Sequence, residues 1–228
     1  MNGFVRTLVV VLLSGPTLVA GEAVIESTFA NKDAALQVDP ALPFWSAARP
    51  VFIEKDSFGK PVPRYRTEVR SRWTRDNLYF LFICPYEQLH LKPEPNTRQE
   101  TNQLWNWDVA EGFVGSDFAD IKHYKEFEVA PQGEWIDLDV NLRNPHHEDG
   151  WTWNSGFEAV ARIDPQKHNW YSAMRIPLAA IDTRPTGAGK HVALEPVPQP
   201  RTGRASAGDN LASPDKQDLS RSRKLWLA

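Results

Sequence analysis

NQLWNWDVAEGFVGSDFADIKHYKEFEVAPQGEWIDLDVN, residues Asn102–Asn141, decides the fold. From Trp105 to Val114 the residues alternate. Trp105, Trp107, Val109, Glu111 and Phe113 fall on one side, and Asn106, Asp108, Ala110, Gly112 and Val114 on the other, which is the two-residue period of a strand. A second strand is predicted over about Tyr124–Val129 and a third over Trp135–Val140, with Pro131, Gln132 and Gly133 as turn chemistry between them. Sequential strands joined this closely favour an antiparallel meander.

Upstream lies the strongest hairpin signal. Thr67, Val69, Ser71 and Trp73 alternate against Glu68, Arg70 and Arg72, Thr74–Asn77 supplies a turn, and Leu78–Cys84 is apolar almost throughout. A strand apolar at successive positions is covered on both faces, so Leu78–Cys84 is expected at the centre of its sheet. Before it, Ala34–Ala48 reads as an opening strand and a turn that inserts Trp45 into the core, and Val51–Glu54 as a short strand. Beyond the meander, Phe157–Ile163 and His168–Met174 form another hairpin turned at Asp164–Lys167, and RIPLAAI, Arg175–Ile181, reads as a strand end followed by a helical turn. The long polar segments Pro85–Thr101 and RNPHHEDGWTWNS after Asn141 are loops, and loops of the length of Pro85–Thr101 are usually functional or disordered. About nine strands with turn signals between them, no long amphipathic helix and no internal repeat make this an all-β chain, an antiparallel β-sandwich of immunoglobulin or jelly-roll type.

The 228 residues, 41% apolar and 24% charged, suffice for one sizeable core. A net charge of −3 without a basic block leaves no footprint for nucleic acid. Arg6, the apolar run Leu8–Ala20 and small residues around Ala20, Gly21 and Ala23 read as a signal peptide over residues 1–23, since the run is shorter than the roughly 20 residues that span a bilayer. The mature chain is therefore expected in the periplasm or medium, with no membrane attachment after processing. Cys84 is the single cysteine, so no intrachain disulfide forms, and its apolar setting marks it as a small buried hydrophobe.

The sandwich is assigned to residues 24–190. From residue 191 to 228 Pro, Arg, Ser, Gly and Asp dominate, and composition alone gives a disordered tail. Back-translating HVALEPVP and reading one base later permits T-W-R-L-N-L-F-R, an alternating strand, and DLSRSRKLW shifted the same way permits T-F-H-V-P-E-S-F-G. Both segments shifting by the same base point to a frameshift near Gly187–Lys190, with the closing strands lost from this product.

WTRDNLYFLFIC, LWNWDVAEGFVG, YKEFEVAPQGEWIDLDVN and WYSAMRIPLAAI, in that order, resemble family 9 carbohydrate-binding modules over about Leu36–Ile181. The element of Trp105, Asp108, Glu111 and Phe113 is the most specific part, and the shifted tail words resemble the closing strands of that family. The resemblance implies a sandwich that grips sugar chain ends between two tryptophans, with structural calcium in some members and no other cofactor. It implies that Trp105 is the first stacking residue and Glu111 the hydrogen-bonding acid. The second stacking tryptophan of the family comes from near the C-terminus, which is the altered tail here.

On the residues themselves, a sugar offers an apolar ring face to an indole and hydroxyls to a carboxylate, which accepts strong charge-assisted hydrogen bonds. Trp105 and Trp107 share a strand face with Glu111, and either indole serves as platform or as packing. Glu126 and Glu128 share a face of the second strand and Asp137 and Asp139 a face of the third. Of these, Glu128 joins Trp105, Trp107 and Glu111 as a carbohydrate-binding candidate. Trp151 and Trp153, read as same-face indoles of the long loop, complete the set. His146 and His147 have no third ligand at characteristic spacing for a transition metal, and Asp149 is the candidate for calcium.

The expected function is non-catalytic binding of oligo- or polysaccharide, accessory to breakdown of xylan- or cellulose-type polymers. A b-type haem electron carrier is the alternative, supported by Met174 and His168 on one strand, although six residues of strand span about 20 Å, too far for two ligands on one iron. A glycoside hydrolase is the third reading, because paired acids suit that chemistry; the sequence shows no acid desolvated to raise its pKa.

Overall fold

The computed structural model describes residues 25–56, 60–115, 120 and 122–182, and the backbone of 192–196 and 225–227. The proposed signal peptide and frameshift junction lie outside these. No helix among the described residues is long and apolar enough to cross a membrane.

In chain order the elements are β1 (Thr28–Phe29), α1 (Pro43–Ser46), β2 (Val51–Ile53), β3 (Thr67–Trp73), β4 (Asn77–Pro85), β5 (Ala110–Gly115), β6 (His123–Val129), β7 (Trp135–Asn141), β8 (Glu158–Asp164), β9 (Asn169–Pro177), α2 (Leu178–Ile181), β10 (Val192–Pro196) and β11 (Leu225–Leu227). Short 3₁₀ turns occupy Pro63–Tyr65, Leu104–Asn106 and His147–Thr152. The strands form two sheets. One is six-stranded, ordered β1-β3-β4-β9-β8 with β2 also on β3, and the other five-stranded, ordered β11-β10-β5-β6-β7. The all-β sandwich stands, and β5-β6-β7 is the antiparallel meander.

β4 is central, between β3 and β9. Leu78, Phe80, Phe82 and Cys84 enter the core between the sheets with Val69, Ala110, Val114, Phe127, Val129 and Met174. The alternate residues Tyr79 and Leu81 face outward and are covered by Trp45, Leu36, Val38 and Phe44. That second apolar layer is why the whole of β4 is hydrophobic. Cys84 is 3% exposed, and burial pushes its thiol far above the usual range.

Residues 34–42 contain no strand: the segment crosses the outer face of the six-stranded sheet, and the turn α1 seats Trp45, whose indole N–H donates to the Gln37 carbonyl at 2.7 Å. Trp45 is buried, but in the outer layer rather than between the sheets. The sandwich is not wholly antiparallel either, because β1 runs parallel to β3. Arg72 fixes that pairing by donating to the carbonyls of Thr28 (3.0 Å), Phe29 (3.0 Å) and Phe44 (2.7 Å). The expected structureless stretch from residue 191 includes two short strands: β10 pairs with β5, and β11 with β10. Pairing with β10 satisfies backbone groups that β5 would otherwise leave at an edge. The remainder of that stretch lies outside the described residues.

Candidate functional site

The pleat gives the five-stranded sheet two unlike faces. Ala110, Val114, Phe127 and Val129 point into the sandwich. Val109, Ala130, Ile136, Leu138 and Val140 form a separate cluster on the outer face, with Leu104, Trp105, Trp107, Tyr124, Leu142 and Trp151 packed on it.

In the middle of the outer face stand three carboxylates. Glu111 lies directly opposite Glu128 across the β5-β6 pair, and Phe113 opposite Glu126. One oxygen from each of Glu111, Glu126 and Glu128 lies within 4.8 Å of the others. Glu111 is 9% exposed and Glu128 0%. Burial first, then the charges of Glu126 and Glu128, holds the Glu111 carboxyl well above the usual carboxylate range. Burial also raises Glu126, partly offset because it accepts hydrogen bonds from Glu111 and Glu128. Crowded carboxyls out of water satisfy one another by sharing protons. The structure thus supplies the desolvated acid that the sequence does not show. Glu126, absent from the sequence-derived set, belongs beside Glu111 and Glu128; its position two residues before Glu128 was the available signal.

Trp105 and Trp107 are not on the strand. β5 begins at Ala110; Gln103 takes a left-handed conformation (φ 60°) and opens the 3₁₀ turn Leu104–Asn106, after which the Trp107 N–H donates to the Leu104 carbonyl at 3.0 Å. This turn wins over the alternation because Leu104, fully buried, needs its place in the outer cluster. Both indoles are half-buried against the same face as the carboxylates, and the Lys92 ammonium lies 5.9 Å from the Trp107 ring centre. The Asp108 carboxylate accepts from the His90 N–H at 2.8 Å while its own N–H donates to the His90 carbonyl at 2.9 Å, pinning the long loop to the start of β5.

Trp151 and Trp153 do not share a face. Trp151 packs with the outer cluster, whereas Trp153 packs against the inter-sheet core, 6.3 Å from the Phe127 ring centre, with the Lys125 ammonium 4.5 Å over its indole. The 3₁₀ turn His147–Thr152 rotates the chain between them. That turn lies close on β7: a Cβ on Gly150 would come within 2.2 Å of the Asp139 carbonyl oxygen.

Asp137 and Asp139 belong to the other face from Glu126 and Glu128. Asp137, fully buried, accepts from the Ser155 N–H at 2.9 Å and from its hydroxyl. Glu100 is pushed up to about 7, by burial and then by Asp137 beside it. Asp139 pairs with Lys125 at 2.6 Å and His123 at 2.7 Å. Asp149 is exposed; among the described residues the group of three or more acidic, His or Cys side chains close enough for one ion is Glu111, Glu126 and Glu128. Met174 is fully buried between the sheets, and His168 sits exposed on the β8-β9 turn, before β9 begins.

No protein-family model matches the chain, and no characterised protein matches it in sequence. The fold is that of a β-sandwich found in solved structures. A Bacteroides uniformis protein whose carbohydrate-binding role is itself inferred superimposes with a TM-score of 0.55 at 12% identity, over 76% of this chain and 82% of its own. A family 9 carbohydrate-binding module from Caldicellulosiruptor kristjanssonii is similar at 12% identity in complex with cellotriose (TM-score 0.48, 74% of each chain) and at 11% with glucose (0.47, 74% of this chain and 75% of that one).

Proposed function

We propose that the protein binds oligo- or polysaccharide outside the cytoplasm without transforming it, through the outer face of the five-stranded sheet. The observation that carries this reading is the convergence of Trp105, Trp107 and Trp151 with the Glu111-Glu126-Glu128 cluster on one face. Half-buried indoles offer ring faces for stacking, and of the three acids the half-buried Glu126 is the one placed to meet a hydroxyl, while the nearly sealed Glu111 and Glu128 hold it in position. The sandwich shared with the Bacteroides uniformis protein supports the same reading, as does the resemblance at Trp105 and Glu111. Xylan- or cellulose-type polymers are the proposed ligands.

A hydrolase holds two carboxyls on either side of the scissile bond, about 5–5.5 Å apart or more. Here the acids hydrogen-bond to one another, which favours binding over turnover. Affinity electrophoresis through xylan and cellulose derivatives tests the proposal. Wild type is expected to be retarded and Trp105→Ala to migrate freely with an unchanged circular dichroism spectrum. Equal migration of the two proteins, or cleavage of aryl glycosides that Glu111→Gln abolishes, would defeat it.

A further inference from the structure

β7 is the last strand of its sheet, and two long loops meet along it. From the loop after β4, the Thr101 N–H donates to the Trp135 carbonyl at 3.0 Å, and the neighbouring Glu100 carboxyl hydrogen-bonds to Asp137. From the loop before β8, Ser155 donates its N–H at 2.9 Å and its hydroxyl to Oδ2 of the same Asp137. We propose that Glu100, Asp137 and Ser155 form a latch, closed only while a proton lies between the two carboxyls, that holds residues 86–101 on β7 and releases them as pH rises.

Asp137 is the fixed half. It is fully buried, Ser155 occupies Oδ2, and Oδ1 is sealed from water with no N–H or hydroxyl donor among the described residues. A buried acceptor left in that state costs stability, and a second carboxyl can relieve it only by bringing a proton. Glu100 is the moving half: it is half-buried, so its carboxyl can exchange that proton with solvent. Once both acids are ionised they repel across the same contact.

Asp137 is the charged group that acts on Glu100, and burial together with it pushes the Glu100 carboxyl up to about 7. The Ser155 hydroxyl is neutral. Lys125 and His123 on β6 are engaged by Asp139, two residues along β7, and Arg98 on the loop of Glu100 is exposed. The latch is therefore fully closed below the ordinary glutamate value near 4.3, and its hold is lost as pH rises through about 7. The loop it restrains also sets Lys92 beside Trp107 and bonds His90 to Asp108, so release reaches the outer face, whatever that face binds.

Hydrogen exchange of the full chain, read by mass spectrometry and corrected for the intrinsic effect of pH on the rate, measures the opening directly. For a carboxyl at about 7 when latched and about 4.3 when released, protection of residues 97–101 is expected to fall about tenfold from pH 6 to pH 8, while β4 stays protected. Glu100→Gln, whose amide donates to Asp137 at every pH, should keep its pH 6 protection at pH 8. Glu111→Gln should lose protection as wild type does. If Glu100→Gln fails to fold, Ser155→Ala carries the test: with one donor gone, Asp137 holds the shared proton more tightly, and the fall must move to higher pH. Wild-type protection indifferent to pH, a loop that opens only together with β4, a fall that persists in Glu100→Gln, or one abolished in Glu111→Gln would overturn the latch.

Discussion

Glu111 and Glu128 face each other on neighbouring antiparallel strands, both nearly sealed from solvent, with Glu126 completing the cluster. Like charges directly opposite in a sheet repel. The pair is held by shared protons, so it weakens as pH rises. Because the Glu111 pKa is raised on folding, its contribution is fully present below the unfolded value near 4.3 and is lost as pH rises through the folded value. Glu111→Gln, neutral at every pH, is expected to be more stable than wild type at pH 8 by about 1 kcal/mol, the scale of a cross-strand pair, and no more stable at pH 4. Urea unfolding at both pH values checks this.

The Glu100 carboxyl is pushed up to about 7 by burial and Asp137, so its stabilising share is complete below about 4.3 and disappears as pH climbs through 7. Glu100→Gln is expected to flatten the stability profile between pH 5 and 8 while leaving the Glu111 contribution unchanged. Thermal midpoints across that range, compared with Glu111→Gln, separate the two.

Asp33 has the opposite sign. It accepts from Thr74 at 2.6 Å, Asn77 at 3.0 Å and Tyr79 at 2.9 Å, and the Thr74 hydroxyl is the first of the contacts that hold its pKa below the ordinary value. Its contribution exists above the unfolded pKa near 3.9 and fades as pH falls through the folded one. Asp33→Asn is expected to cost about 0.5–1 kcal/mol at pH 7, kept small by solvent, and nothing near pH 2. The same substitution should lower the Tyr79 phenol from about 12, where burial and Asp33 together hold it. Acid unfolding and ultraviolet titration measure the two effects.

Trp105 and Trp153 should separate binding from folding. Trp153 packs on Phe127 in the inter-sheet core and under Lys125, so Trp153→Ala is expected to cost about 2–3 kcal/mol while its folded fraction still binds sugar. Trp105→Ala should do the reverse. Paired denaturation and affinity measurements on the two variants test this; loss of sugar binding in folded Trp153→Ala would contradict it.

Alternation located β3, an unbroken apolar run β4, and strand stretches flanking the Pro131–Gly133 turn β6 and β7, each within a residue or two, because burial on one or both faces dictates the pattern. It failed at Trp105 and Trp107, where two indoles at strand spacing belong to a 3₁₀ turn: aromatic residues two apart do not distinguish a strand from a tight turn that returns to the same surface. It failed again at Trp151 and Trp153, which the turn at His147–Thr152 sends to opposite sides of the sheet. The wrap of residues 34–48 was legible only as a buried Trp45, since an apolar layer outside a sheet resembles one inside it. The glutamate cluster depends on strand register, Glu111 against Glu128, which spacing within one strand cannot supply.

Gly150 gives the outer face a dependence on a residue that bears no functional group. Its bare Cα lets the segment carrying Trp151 lie flush on the Asp139 carbonyl. A single methyl there would lever that segment away from β7, lifting one indole from the proposed binding face while every carboxylate stayed in place. Loss of ligand grip could thus arise from a position that any inspection of polar or aromatic side chains would pass over.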